Sequence, residues 1–185
     1  TYNVHFKGIK NLVKIIKREN STVLTQIGSS LEYGKKSSPH SEKNVCRPMS
    51  YYGKAKFLAS NFIKLNLKNY VILRPYQIYG PYQKVDRLIP ITIVSCLKNK
   101  AFLCSEGSQL RDFLFVDDFI NLLVKIIKKK KIKSGIYNVG TGKPLKVKSI
   151  INLINTLTGK GRPLFGKLKM RKDPSHRQIL FFLSL

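Results

Sequence analysis

Acidic side chains are scarce in this sequence: nine Asp and Glu stand against 35 Lys and Arg, a formal net charge of +26. There is no Trp, and the sulfur-bearing residues are three Cys and two Met. Cys46, Cys96 and Cys104 have no C-x-x-C spacing, and their odd number argues against a disulfide framework. They read as reduced, partly buried thiols, which places the protein in the cytoplasm. His5, His40 and His176 lie far apart and form no metal-ligand pattern, so no metal is expected and each reads as a surface or capping histidine. No apolar run approaches the roughly 18 residues that a bilayer span needs, and the terminal ILFFLSL is too short. No membrane partner is expected, and the opening residues carry no signal-peptide pattern. Residue 1 is Thr, so the natural start of the chain is expected to lie upstream.

The excess of positive charge invites a nucleic-acid reading, because Lys and Arg neutralise phosphates. The lysines, however, are spread along the whole chain. The one long block, KKKKIK at 128–133, closes an apolar helical run, where cations suit the negative end of the helix dipole. No helix-turn-helix, zinc-finger or RNA-stacking signature accompanies it, so specific nucleic-acid binding is not expected. A basic surface that attracts acidic small molecules is the better reading.

The 185 residues are 43% hydrophobic and can bury a real core, with one domain as the default and two small ones open. VHFKGIKNLVKIIK sets Phe6, Ile9, Val13 and Ile16 on one helical face among lysines. STVLTQIG, from Ser21 to Gly28, reads as a buried strand. A polar loop, a helix from about Ser50 to Leu67, and the strand NYVILRP follow. YGPYQKVD is a turn-rich connection and leads to a helix from about Leu88 to Lys98. AFLC and DFLFV are strand-like. VDDFINLLVKIIKKK is a helix, GIYNVG a strand and KVKSIINLINTL a helix. Strands alternating with helices imply βαβ units and an α/β fold with a parallel sheet.

Ligands of open α/β sheets gather at the carboxyl ends of the strands, here just after Gly28, Arg74 and Val139. Those places read GSSLEYG, RPYQIYGP and GTGKP. Near them, SYYGKAK places Tyr52 and Lys56 one helical turn apart on one face, whereas Tyr51 has Ala55 in that position. A free tyrosine, with a pKa near 10, is a poor acid–base group at neutral pH. A lysine ammonium beside it favours the phenolate and lowers that value. Ser29, at the end of the preceding strand, is placed to hold a substrate oxygen. A lone YxxxK is usually only a helix surface, but here it coincides with a strand and an exposed Ser-Ser.

These segments resemble, in order, the extended short-chain dehydrogenases/reductases, the NAD-dependent epimerase/dehydratase group acting on nucleotide sugars. The resemblance runs from about Val4 to Asp173. VHFKGIKNL looks like the family's Asn-x-x-Gly-Thr helix, with His5 in place of Asn and Ile9 in place of Thr. QIGSSLEYG is similar to its Ser/Thr-x-x-x-Tyr-Gly strand end, and SYYGKAK to its Tyr-x-x-x-Lys. LRPYQIYGP resembles Arg-Pro-x-Asn-x-Tyr-Gly-Pro, with Gln77 for Asn. LRDFLFVDDF and YNVGTGKP resemble two later segments. The implied fold is a partial Rossmann-like, doubly wound parallel sheet with a small C-terminal substrate-binding part. Residues 1–80 would be the second half of a dinucleotide-binding domain. Residues 81–175 would mix a substrate-binding part with a late Rossmann strand and helix (117–142), and 176–185 would be a divergent tail.

By that resemblance Tyr52 is the catalytic acid/base, Lys56 lowers its pKa and binds the nicotinamide ribose, and Ser29 positions the sugar oxygen. His5 and Pro75 lie with Tyr52 and Lys56 at the cofactor. Gln77, Arg111 and Arg171 face the substrate, with Arg111 gripping the diphosphate. The implied cofactor is NAD or NADP, the implied partner a nucleotide sugar. The implied assembly is a homodimer through the helices around Val4–Lys17 and Tyr52–Leu67. The family's Gly-rich fingerprint is absent from these residues, and GTGKP, which lacks a third spaced glycine, reads as structural. The chain is therefore expected to be a fragment that binds no dinucleotide tightly and is inactive alone. Leu31 stands where the family's 4,6-dehydratases need an acid, so a 4-epimerase or 4-keto-reductase is the expected lineage, the 4-keto-6-deoxysugar reductases reading closest. A non-catalytic remnant of the fold and a basic nucleic-acid binder are the alternatives.

Overall fold

The computed structural model describes residues 2–18, 22–36, 38–129 and 132–169. A π-helical turn, Asn3–Lys7, runs into α1 (Gly8–Ile16), and β1 (Leu24–Ile27) ends in a short 3-10 turn, Ser30–Glu32. Next come α2 (Tyr51–Asn66), β2 (Tyr70–Pro75), β3 (Gln77–Tyr79) and α3 (Leu88–Leu97). Then follow β4 (Ala101–Leu103), β5 (Leu110–Arg111), β6 (Phe113–Phe115), α4 (Val116–Lys128), β7 (Gly135–Val139), β8 (Leu145–Lys146), α5 (Val147–Thr158) and β9 (Arg162–Leu164).

The main sheet is parallel, in the order β1-β2-β7. Ile72 sits at its centre, paired with Gln26 on one side and Ile136 on the other. The apolar run Val71-Ile72-Leu73 is buried because both faces of β2 are covered. Side chains alternate across a strand. Ile72 joins Val13, Leu24 and Ile63 under α1 and α2. Val71 and Leu73 join Leu114, Phe119 and Val139 under α4. The sheet is thus covered by helices on both faces, as the alternation of elements predicts. Ile9 and Ile16 pack beside Val13, so the apolar stripe of the first helix faces the sheet. Among the described residues, no helix is long and apolar enough to cross a membrane.

Local chemistry sets the ends of the elements. Ser50 Oγ accepts from Gly53 N at 3.0 Å and starts α2. In α4, Asp117 and Asp118 lie in the first turn and Lys125 and Lys128 in the last, both favourable for the dipole. Three further ladders depart from the sequence expectation: β3 with β6 and β4 with β9, both parallel, and β5 with β8, antiparallel. Strands of two or three residues are too short to show a period-two pattern. The strand expected from Ser21 is described from Leu24, Ser21 itself lying outside the described residues, as do His176 and the tail 176–185. A third core, of Cys104, Val147 and Ile151, seats α5 against Phe102 and Phe113.

Asp112, between β5 and β6, ties those strands to the loop after β7. Fully buried, it accepts from Thr141 N, Thr141 Oγ1 and Gly142 N, each at 2.8 Å. Asp112→Ala leaves two half-buried amides and the Thr141 hydroxyl without this acceptor and should lower stability by about 2 kcal/mol. Asp117→Ala, at an exposed helix start, should lose no more than about 1 kcal/mol. Urea midpoints at unchanged m-value measure both.

Candidate active site

The carboxyl end of β1 and the first turn of α2 meet on one side of the main sheet. Ser29 leaves β1 extended, and its Oγ accepts from Leu31 N at 3.2 Å, capping the 3-10 turn. Its side chain is buried. Lys56 reaches across from α2 and donates from Nζ to the Ile27 carbonyl at 2.7 Å, two residues before Ser29. The ammonium lies 5.7 Å from the centroid of the Tyr52 ring. His5 meets the same ring edge-on, centroids 5.2 Å apart, from the π-helical turn. Ser29, Tyr52, Lys56 and His5 therefore gather around one strand end, and Tyr52 remains 37% exposed there. Pro75 ends the neighbouring strand, buried and paired with Val139.

The electrostatics correct one expectation. The Tyr52 phenol is held above the usual tyrosine value, first by burial and then by the negative charge of Glu32. Lys56 does not lower it here, because its ammonium is turned to the Ile27 carbonyl. Burial lowers Lys56, and Glu32 opposes that shift. His5 is lowered by burial and by the Lys56 cation.

Behind these residues lies a buried polar network that periodicity and motif spacing do not reveal. Glu32 pairs with Arg74, whose Nη2 lies 2.9 Å from Oε2. The guanidinium carbon stands 4.7 Å from the centroid of the Tyr33 ring. Tyr33 donates from its hydroxyl to Asn138 Oδ1 at 2.7 Å and stacks on His40, centroids 4.3 Å apart. His40 is thus no surface or capping histidine: it is 1% exposed. Its Nε2 must donate to the Lys36 carbonyl at 2.9 Å, which leaves Nδ1 to accept from the Tyr76 hydroxyl at 3.0 Å. The imidazole is neutral in that arrangement. A signal was available: a lone histidine in a loop between a Tyr-Gly turn and a helix, rich in small residues, suits inward packing.

Arg111 lies apart from the phenol. It is buried, donates from Nη1 to the Leu110 carbonyl at 2.8 Å, and lines a cavity of about 530 Å³. Thr92, Ser95, Ser105 and Gln109 supply polar lining and Phe102 an aromatic one. Gln109 Oε1 is buried with no hydrogen-bond partner among the described residues. Gln77 is exposed, and its main-chain N–H donates to the Asp112 carbonyl at 3.0 Å, next to Arg111. Arg171 lies outside the described residues.

Tyr52 and His5 remain partly exposed beside the buried Lys56, a set whose ring faces and cation fit a ribose. A pyrophosphate needs free backbone amides in a Gly-rich turn. The glycine-bearing loop Gly140–Gly142 does not offer them, because Asp112 already holds the amides of Thr141 and Gly142 and places a carboxylate there.

The sequence profile of the NAD dependent epimerase/dehydratase family matches residues 1–140. An uncharacterized UDP-glucose epimerase of Bacillus subtilis (strain 168) is 24% identical over 181 residues, 95% of this chain and 57% of that protein. The dTDP-D-glucose 4,6-dehydratase of Homo sapiens is 32% identical over 123 residues, 61% of this chain and 35% of that protein. The chain thus spans between a third and three fifths of the length of these relatives. The crystal structure of UDP-glucose 4-epimerase from Thermotoga maritima with UDP-glucose superimposes with a TM-score of 0.86 at 22% identity, covering 98% of this chain and 61% of that one. At that identity the likeness is one of fold.

The buried His40 makes stability depend on pH. Burial and the Arg74 charge depress its folded-state pKa, while the Lys36 carbonyl raises it. The unfolded chain therefore takes up the proton first as pH falls. The stabilisation is complete above about pH 6.5 and is lost progressively below it. Urea midpoints between about pH 5 and 8 should fall on the acid side in the wild type, and His40→Gln should flatten that part of the profile.

Proposed function

The chain belongs to the NAD dependent epimerase/dehydratase family, and we propose that it carries the substrate-facing part of an NAD(P)-dependent nucleotide-sugar 4-epimerase or 4-keto-reductase. The observation that supports this most is the gathering of Ser29, Tyr52 and Lys56 at the carboxyl end of β1, with Tyr52 partly exposed. Tyr52 gives or takes the proton of the sugar C4 hydroxyl. Ser29 Oγ orients that oxygen, and Lys56, its ammonium 5.7 Å from the ring centroid, is assigned to the nicotinamide ribose. The bound nicotinamide supplies the hydride chemistry. In the geometry described, the phenol keeps its proton at neutral pH, the form that gives a proton to a developing alkoxide. That state suits the reducing direction. Leu31, 39% exposed, has no proton to give at the position of the dehydratase acid, and Glu32 is turned inward to Arg74. This disfavours water elimination although a dehydratase is among the relatives.

Arg111 and the cavity it lines take the nucleotide diphosphate, with Gln77 on the substrate side of β3. Arg171 is assigned to the same phosphates by its motif alone. The intact protein pairs as a homodimer through the first two helices, where Leu12, Ile15, Leu58 and Leu65 are exposed apolar residues. The occupied amides of the Gly140–Gly142 loop also favour a second reading, in which the chain keeps the fold without the chemistry.

Two measurements test this. A UDP-, CDP- or dTDP-sugar should raise the melting temperature of the chain. Arg111→Ala should weaken that ligand roughly tenfold or more, the loss of one charge-assisted contact. No response to any sugar nucleotide, together with a salt-dependent shift on DNA, would favour a nucleic-acid binder. Calorimetry with NAD and NADP should find no binding tighter than about 1 mM. Tighter binding would overturn the assignment of the chain as a fragment without a cofactor cradle.

A further inference from the structure

The 3-10 turn Ser30–Glu32 is wedged between the end of β1 and the first turn of α2, and two glycines make room for it. A Cβ on Gly28 would lie 2.5 Å from Glu32 Oε1, and one on Gly53 would lie 2.6 Å from the Leu31 carbonyl oxygen. Glu32 itself is fully buried. Its Oε1 accepts from Ser29 N at 2.9 Å, and its Oε2 accepts from Arg74 Nε at 3.0 Å. A buried ion pair is a weak device for stability, since apolar residues of similar volume often do as well. The position of this pair, directly behind three residues assigned to proton transfer, calls for another role.

We propose that Glu32 is a positioning residue for Ser29, Tyr52 and Lys56, holding the Ser29 main chain in place and setting the negative charge that the phenol meets. The inference rests on the assignment of Tyr52 as acid/base. Lys56 from its own helix and His5 from the π-helical turn meet the Tyr52 ring, while Glu32, turned to Ser29 N and Arg74, acts on the phenol through its charge alone. Glu32 favours the phenol, and Lys56, its ammonium held by the Ile27 carbonyl, does not oppose it. Glu32 also supports the protonated form of Lys56. The carboxylate therefore favours the protonated form of both groups, and Arg74 fixes its position.

The test is a pH titration of the chain labelled with 13Cζ-tyrosine, followed by NMR, with the Tyr52 signal assigned by its loss in Tyr52→Phe. It needs neither sugar nor dinucleotide, so its failure is distinct from a failure of the nucleotide-sugar assignment, which the Arg111→Ala thermal shifts read. Glu32→Gln should lower the Tyr52 midpoint by roughly 0.5 pH unit or more, and Glu32→Asp, which keeps the charge, should leave it near the wild-type value. Should Glu32→Gln fail to fold, with Arg74 left unpaired, Glu32→Gln/Arg74→Met removes both charges and decides the matter. In that double variant, stability should recover while the Tyr52 midpoint stays low. A midpoint that returns to the wild-type value together with stability would reduce Glu32 to a structural role and overturn the proposal.

Discussion

Strand β2 is hydrogen-bonded to a parallel neighbour on each edge and buried on both faces. A strand so enclosed can meet a ligand only beyond its ends. At the carboxyl end its last two residues, Arg74 and Pro75, reach the polar layer, and Arg74 pairs there with Glu32. The rest of the site is built outward from that point. The pair holds the turn after β1, the turn seats α2, and α2 presents Tyr52 and Lys56.

The shortage of acidic residues gains meaning in this setting. Nine carboxylates serve a chain with 35 cations, yet among the described residues two, Glu32 and Asp112, are fully buried. Each accepts several hydrogen bonds and each organises a loop: Glu32 the one after β1, Asp112 the one after β7. Glu42 adds a third link, accepting from Asn138 N at 2.9 Å. With these carboxylates turned inward, the surface keeps its cationic field. Such a field draws in anions, and a nucleotide diphosphate is one.

The departures from sequence expectation share a cause. His40 has no patterned neighbours, so nothing in the chain order shows that Tyr33 and Tyr76 close around it. Glu32 stands one residue away from the position where a motif would assign it chemistry, and the turn points it at Arg74. The Tyr52–Lys56 spacing puts two groups on one helical face. Which way the ammonium turns is decided by the Ile27 carbonyl, 29 residues away in the chain. The short strands β3, β5, β8 and β9 exist because segments distant in sequence offer them partners.

Hydrophobic periodicity, helix-end chemistry and the order of its motifs made the alternation of strands and helices, the central buried strand and the candidate residues Ser29, Tyr52 and Lys56 legible. These depend on neighbours within a turn or a strand, and short-range spacing records them. The charge seen by the phenol, the burial of His40, the amides taken by Asp112 and the cavity around Arg111 were settled only when the chain had folded. Desolvation and long-range hydrogen bonding arise between residues tens of positions apart, and a linear order carries no distance between them.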